Sequence, residues 1–189
     1  MPGPGEDRAG SDFQDTEPRY SHIFVPLDGS DVAERILPHA EAFGRQFGAA
    51  IVLLRVTRSV EAIIAETMPA AATGFRPVVA PIPAGAATFD PRPLVEAEEQ
   101  QAAEYLDQVA RGLQERGVRA TYELRQGTAA DAIVERAREV RGGLIAMTTH
   151  GRGGLGRIIF GSVADAVLRH APCPVLLVRV AEESPSEEP

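Results

Sequence analysis

The chain has no lysine, no asparagine and no tryptophan, and all 19 of its basic residues are arginines. Without lysine there is no P-loop lysine, no Schiff base and no lysine general base, which excludes several enzyme classes at once. One cysteine, Cys173, excludes an internal disulfide framework and any multi-cysteine metal site. Lying between two prolines and before an apolar run, it suits the role of a small buried hydrophobe. The histidines, His22, His39, His150 and His170, share no metal-ligand spacing. No apolar run approaches the ~18 residues of a membrane span, and the first 20 residues are acidic and polar. No signal or transit peptide is therefore expected, and the expected location is cytoplasmic.

An excess of positive charge is lacking too. The formal charge of -8 argues against nonspecific nucleic-acid binding. Residues 1–20 carry -3 and residues 181–189 carry -4, which leaves -1 for 21–180. Both ends hold Pro, Gly and Ser with little to bury, so they read as disordered acidic tails on one domain over 21–180.

Within that domain short apolar runs alternate with helical patterns. Ile23 to Leu27 is a first strand, closed by Asp28-Gly29-Ser30. Val32, Ile36, Ala40, Phe43 and Phe47 then recur at helical steps, which predicts one helix ended by Gly48. Ile51 to Val56 is a second, nearly all-apolar strand. Residues 57–93 contain six of the fifteen prolines and read as an irregular Pro/Ala-rich insertion, with a helical turn or two near Val60 to Glu66. The helical period returns from Leu94 to about Gly117. Val118 to Arg125 alternates strictly, as a strand at a sheet edge does. A short helix over Ala129 to Val140 follows, then the buried-type strand Leu144 to Met147. A glycine-rich loop, a helix from Ser162 to His170 and a last strand from Val175 to Val180 complete the order. The alternation predicts an α/β, doubly wound, mostly parallel five-stranded sheet.

In such sheets ligands bind outside the carboxyl ends of the strands, where strand order reverses. Two carboxyl ends are equipped for this. Pro26-Leu27-Asp28-Gly29-Ser30 sets an acid on a tight turn, and Asp28 also suits a turn or helix-cap role. Thr148-Thr149-His150-Gly151-Arg152-Gly153-Gly154-Leu155-Gly156-Arg157 leads to Phe160-Gly161-Ser162 at a helix start. Glycines let backbone N–H groups approach a phosphate, the helix N-terminus adds partial positive charge, and Arg152 and Arg157 add full charges. The loop reads as a phosphate cradle; a glycine-rich connection without ligand is the alternative. Ser162 also suits an N-cap. Gly151, Gly153 and Gly156 match G-x-G-x-x-G, but a dinucleotide fingerprint opens the first βαβ unit and is followed by a ribose-binding acid. Here Leu176 stands about twenty residues on, so NAD or FAD is not expected. No Gly-x-Ser-x-Gly elbow and no paired carboxylates support a hydrolase.

Pro26 to Ser30, Leu53-Leu54-Arg55-Val56, Thr148 to Gly151, Gly161-Ser162-Val163 and Ala171 to Val178 together resemble the universal stress protein family. The resemblance covers about residues 20–180 outside the insertion. The family's ATP-binding branch carries Gly-x2-Gly-x9-Gly-Ser/Thr. From Gly151, nine residues lead to Gly161-Ser162, while the first glycine of the pattern falls on Thr148, whose Cβ stands where ribose would approach. The resemblance implies a Rossmann-like sheet of order 3-2-1-4-5, with Asp28 beside the 148–162 loop. It also implies ATP, with Mg2+ or Mn2+ on its phosphates. Asp28 would then meet the ribose, the Val56 backbone would meet adenine, and Gly151, Gly161 and Ser162 would hold phosphates, with Pro26, Thr148, Arg152 and Val163 in the same site.

The implied function is a stress-response regulator that binds ATP with slow or no hydrolysis. The alternatives are a nucleotide-independent interaction or chaperone-like module of the same fold, and an enzyme of the adenine-nucleotide α-hydrolase type. The last would need Ser-Gly-Gly-x-Asp-Ser after the first strand, which Pro26 to Asp31 does not provide. In the 3-2-1-4-5 order the apolar last strand is an edge, and pairing with a second copy as a homodimer would cover it.

Overall fold

Ile23, Phe24 and Val25 are wholly buried although their side chains alternate between the two faces of a strand. Only a sheet covered on both sides accommodates that pattern, and a parallel sheet with helices on each face is covered in this way. The computed structural model describes residues 20–67, 90–150 and 161–180. Its elements are β1 (His22–Pro26), α1 (Asp31–Glu34), α2 (Leu37–Phe47), β2 (Ala50–Thr57), α3 (Val60–Thr67), α4 (Arg92–Glu115), β3 (Ala120–Gln126), α5 (Ala129–Arg138), β4 (Gly143–His150), α6 (Ser162–His170) and β5 (Val175–Val180). The five strands are parallel and lie in the order β3-β2-β1-β4-β5. The doubly wound α/β fold expected from the alternation is the fold observed.

Each face has its own core. On one, Val25, Ile51, Leu53 and Ala146 pack with Ala40, Leu106 and Leu113 from α2 and α4. On the other, Phe24, Leu54, Ile145 and Met147 pack with Ile133 and Val167 from α5 and α6. Burying one such side chain contributes about 1.5–3 kcal/mol, so the three inner strands carry much of the fold's stability. Cys173 is half-buried against the second core, and burial pushes its thiol above the ordinary range, as suits a small hydrophobe.

Four local expectations are corrected. The single helix read across Val32 to Phe47 is two helices. Pro38, in the first turn of α2, has no N–H to donate to Glu34, so the chain tightens there. Arg35 and Ile36 bond back three residues, to Val32 and Ala33, at 3.3 Å each. Ile36 and Ala40 nevertheless share the buried face, which is why the period runs on through the break. Within the span 57–93, Thr57 ends β2, Val60–Thr67 is a full helix, and α4 begins at Arg92. β4 continues to His150 because it pairs with β5 to Val180. Finally, α5 stops at Arg138, short of Val140. The tails 1–19 and 181–189, and residues 68–89 of the insertion, lie outside the described residues.

Candidate functional site

The carboxyl end of β1 turns away at Leu27, whose N–H still donates to the Leu54 carbonyl at 2.9 Å. Asp28 makes the turn that follows. Its Oδ1 accepts from the Ser30 N–H at 2.9 Å and from the Ser30 hydroxyl at 2.6 Å. Gly29 between them has φ +82°, a left-handed conformation that glycine adopts without strain. Ser30 is the N-cap of α1, its Oγ accepting from the Ala33 N–H at 3.2 Å. Asp28 is thus a turn acceptor and Ser30 is the cap. Partial burial pushes the Asp28 carboxyl up, but the two Ser30 hydrogen bonds and the Arg55 charge outweigh it. The net result lies below the ordinary value of 3.8, so Asp28 is ionised at neutral pH.

Three further elements end beside this turn. β2 brings Arg55 and Val56, on opposite faces of the sheet. β4 brings Met147, Thr148 and Thr149. α6 starts at Gly161-Ser162, and its N-cap is Gly161 rather than Ser162; among the described residues no side chain caps it. The first-turn N–H groups of α6 thus have no side-chain acceptor among the described residues. A Cβ on Gly161 would meet no atom of the described residues within 4 Å. The Thr149 hydroxyl is buried without a hydrogen-bond partner among the described residues.

Together these ends enclose a cleft of about 360 Å³ at the reversal point between β1 and β4. Seven sequence-predicted residues line it: Pro26, Asp28, Val56, Thr148, Gly161, Ser162 and Val163. Gly151 and Arg152 lie outside the described residues. Val56, Ile133 and Met147 give the cleft an apolar wall, and Asp28 with the α6 N-terminus gives it polar ends. Such an arrangement accommodates a flat apolar ring at one place, hydroxyls at a second and an anion at a third. Among the described residues, no group of three or more His, Cys, Asp or Glu side chains is arranged to hold a metal ion. No helix among them is long and apolar enough to cross a membrane.

Sequence reasoning passed over Arg55, Thr149 and Ile133. Arg55 had one visible signal: it is the only charged residue in the eight-residue strand Ala50–Thr57. Ile133 carries no such mark, because its place on the cleft wall depends on how α5 crosses the sheet.

The sequence model of the universal stress protein family matches residues 76–179. A universal stress protein of Methanocaldococcus jannaschii is 33% identical over 160 residues, covering 85% of this chain and 82% of that protein. The crystal structure of a universal stress protein family member from Burkholderia pseudomallei is similar with a TM-score of 0.56 and 28% identity, over 84% of this chain and 96% of that one. The universal stress protein of Archaeoglobus fulgidus in complex with dAMP is similar with a TM-score of 0.52 and 24% identity, over 84% of this chain and 98% of that one. The chain belongs to the universal stress protein family.

Proposed function

We propose that this protein is a stress-response regulator that binds ATP in the β1/β4 cleft, with slow or no hydrolysis. The observation that carries the reading is the meeting, in one cleft, of an ionised carboxylate, an apolar wall and an uncapped helix N-terminus. The Archaeoglobus relative bound to dAMP supports the same ligand class. In this reading the Val56 backbone edge meets adenine against Ile133 and Met147. Asp28 accepts hydrogen bonds from the ribose hydroxyls. Gly161, Ser162 and Val163 present the helix N-terminus to the phosphates, joined by Gly151 and Arg152. Pro26 and Thr148 border the sugar. A divalent ion, Mg2+ or Mn2+, would ride on the phosphates and neutralise part of their charge.

Among the described residues lining the cleft, Asp28 is the one carboxylate, and Ser30 already occupies its Oδ1.

We further propose a cytoplasmic homodimer through β5. This edge strand leaves Val175, Leu176, Leu177 and Val178 half-exposed, with one charge, Arg179, in six residues. Unpaired N–H and C=O groups beside apolar side chains favour pairing with an identical strand across a two-fold axis.

A second reading, a nucleotide-independent interaction module, is favoured by the β-branched Thr148 at the sugar's place. Chromatography and mass spectrometry of small molecules released from the denatured, freshly purified protein separate the two. Adenine nucleotide approaching one per chain supports the first reading; none released, together with no ATP uptake on addition, supports the second.

A further inference from the structure

Beside the Asp28 turn, on the same cleft, lies a charge that the proposed ligand contacts do not use. By strand parity Arg55 points to the same face as Ile51 and Leu53, the face covered by α2 and α4. It is half-buried. Its Nη1 donates to the Leu27 carbonyl at 3.4 Å, and a Cβ on Gly29 would lie 3.6 Å from that same nitrogen. The guanidinium is thus packed against the Leu27-Asp28-Gly29 turn, and Arg55 lines the same cleft as Asp28. Its Nε is buried without a hydrogen-bond partner, and among the described residues it forms no ion pair.

A partly buried guanidinium with an unmet N–H is unfavourable unless its charge is used. Glu34, on α1, accepts from the Tyr105 hydroxyl at 2.8 Å through Oε1, and among the described residues it forms no ion pair with Arg55. The carboxylate on the turn that Arg55 touches is Asp28, and Arg55 acts on it electrostatically.

We propose that Arg55 is the positioning residue for Asp28, fixing the turn and its carboxylate so that Asp28 accepts the hydroxyls of a ligand's ribose. The ligand part of this proposal rests on the nucleotide reading above; the Arg55–Asp28 coupling does not. It makes the site selective for a sugar with free hydroxyls, because a held carboxylate loses little on binding a diol and gains nothing from a deoxygenated sugar.

The first test needs no ligand. The Asp28 carboxyl carbon is titrated by NMR in the wild type, Arg55→Leu and Arg55→Lys. The charged and titratable groups around Asp28 are the Arg55 guanidinium from β2 and the neutral Tyr105 hydroxyl from α4, with the Glu34 carboxylate of α1 on that hydroxyl. Glu34→Gln therefore serves as a control for the neighbouring carboxylate. Asp28 is expected to titrate at higher pH in Arg55→Leu and close to the wild type in Arg55→Lys. If Arg55→Leu does not fold, Arg55→Gln takes its place. An unchanged Asp28 titration in the charge-removed variant overturns the proposal.

The second test measures affinity for ATP and for 2′,3′-dideoxy-ATP. Arg55→Leu is expected to lose about tenfold on ATP, the scale of one charge-assisted hydrogen bond, and nothing on the dideoxy compound. Equal losses on both would make Arg55 a general structural residue and also overturn the proposal. If the wild type binds neither nucleotide while the Asp28 titration still shifts, the nucleotide reading fails and the Arg55–Asp28 coupling stands.

Discussion

The Tyr105 hydroxyl donates a 2.8 Å hydrogen bond to Glu34 Oε1, 71 residues away in the chain. The bond ties α4 to α1, the short helix that starts at the N-cap next to Asp28. α1 has only four residues and none is fully buried, so packing alone holds it weakly. Burial, and then the Glu34 carboxylate, push the Tyr105 hydroxyl above its ordinary value of 10.0. Tyr105→Phe is expected to lower unfolding stability by about 1–2 kcal/mol, read by urea denaturation. As pH rises past 10, the unfolded chain ionises this tyrosine before the folded one does, so stability falls. Tyr105→Phe should show a shallower alkaline decline. Identical alkaline curves would show that the hydrogen bond is not held in solution.

Acid stability should report on the opposite side of the sheet. Arg136 donates to Glu123 at 2.7 and 2.8 Å, and Arg125 adds a contact at 3.2 Å. The Arg136 hydrogen bonds hold the Glu123 carboxyl below its ordinary value of 4.5, against the effect of partial burial. A carboxyl lowered by folding stabilises the protein above its unfolded value, and that contribution is lost as pH falls through the folded one. Glu123→Gln is expected to be about 1 kcal/mol less stable at pH 7 and to lose less on acidification below 4.5. Thermal midpoints of the two proteins from pH 7 to pH 3 check this.

Thr148 gives a prediction in which affinity and stability move in opposite directions. It is a half-buried residue of β4 paired with Val178, so Thr148→Gly should destabilise the strand by about 1 kcal/mol. The same change removes the Cβ beside the sugar, and ATP affinity is expected to rise severalfold. Equal affinities by calorimetry would mean that the ribose does not meet this side chain.

The β5 edge is tested by sedimentation. Leu177→Asp places a charge in the middle of the proposed strand pair and is expected to convert a dimer into monomers or aggregates at micromolar concentration. A monomeric wild type under the same conditions would show that β5 pairs with no second copy.

Much of the fold was legible because the parallel strands are buried on both faces and so read as unbroken apolar runs at Ile23–Val25, Ile51–Leu54 and Leu144–Met147. The limits of α6 and β5 matched residue for residue. The strict alternation of Val118 to Arg125 marked an edge, where β3 lies. The break between α1 and α2 was missed because Ile36 and Ala40 keep the helical period on either side of Pro38. In the site, Asp28 and the Gly161-Ser162 helix start were marked by turn and glycine chemistry. Ser162 suits a cap by residue type, yet the N-cap is Gly161, one residue earlier. Arg55 stands out as the lone charge of its strand, but its role is not local. It reaches Asp28 only because β2 lies beside β1, with Leu54 bonded to Leu27, and that pairing is tertiary.

Gly161 is where the proposed nucleotide site is most directly exposed to experiment. Its φ of -57° is open to any residue, and a Cβ there meets no atom of the described residues within 4 Å, so Gly161→Val should leave the fold intact. Isothermal calorimetry of ATP with Mg2+ into the wild type and Gly161→Val, with matched thermal midpoints, is the decisive measurement. The expected result is saturable binding to the wild type and at least a tenfold loss in Gly161→Val. Equal affinity in the two proteins, or no binding to the wild type, would contradict an ATP site at the β1/β4 cleft.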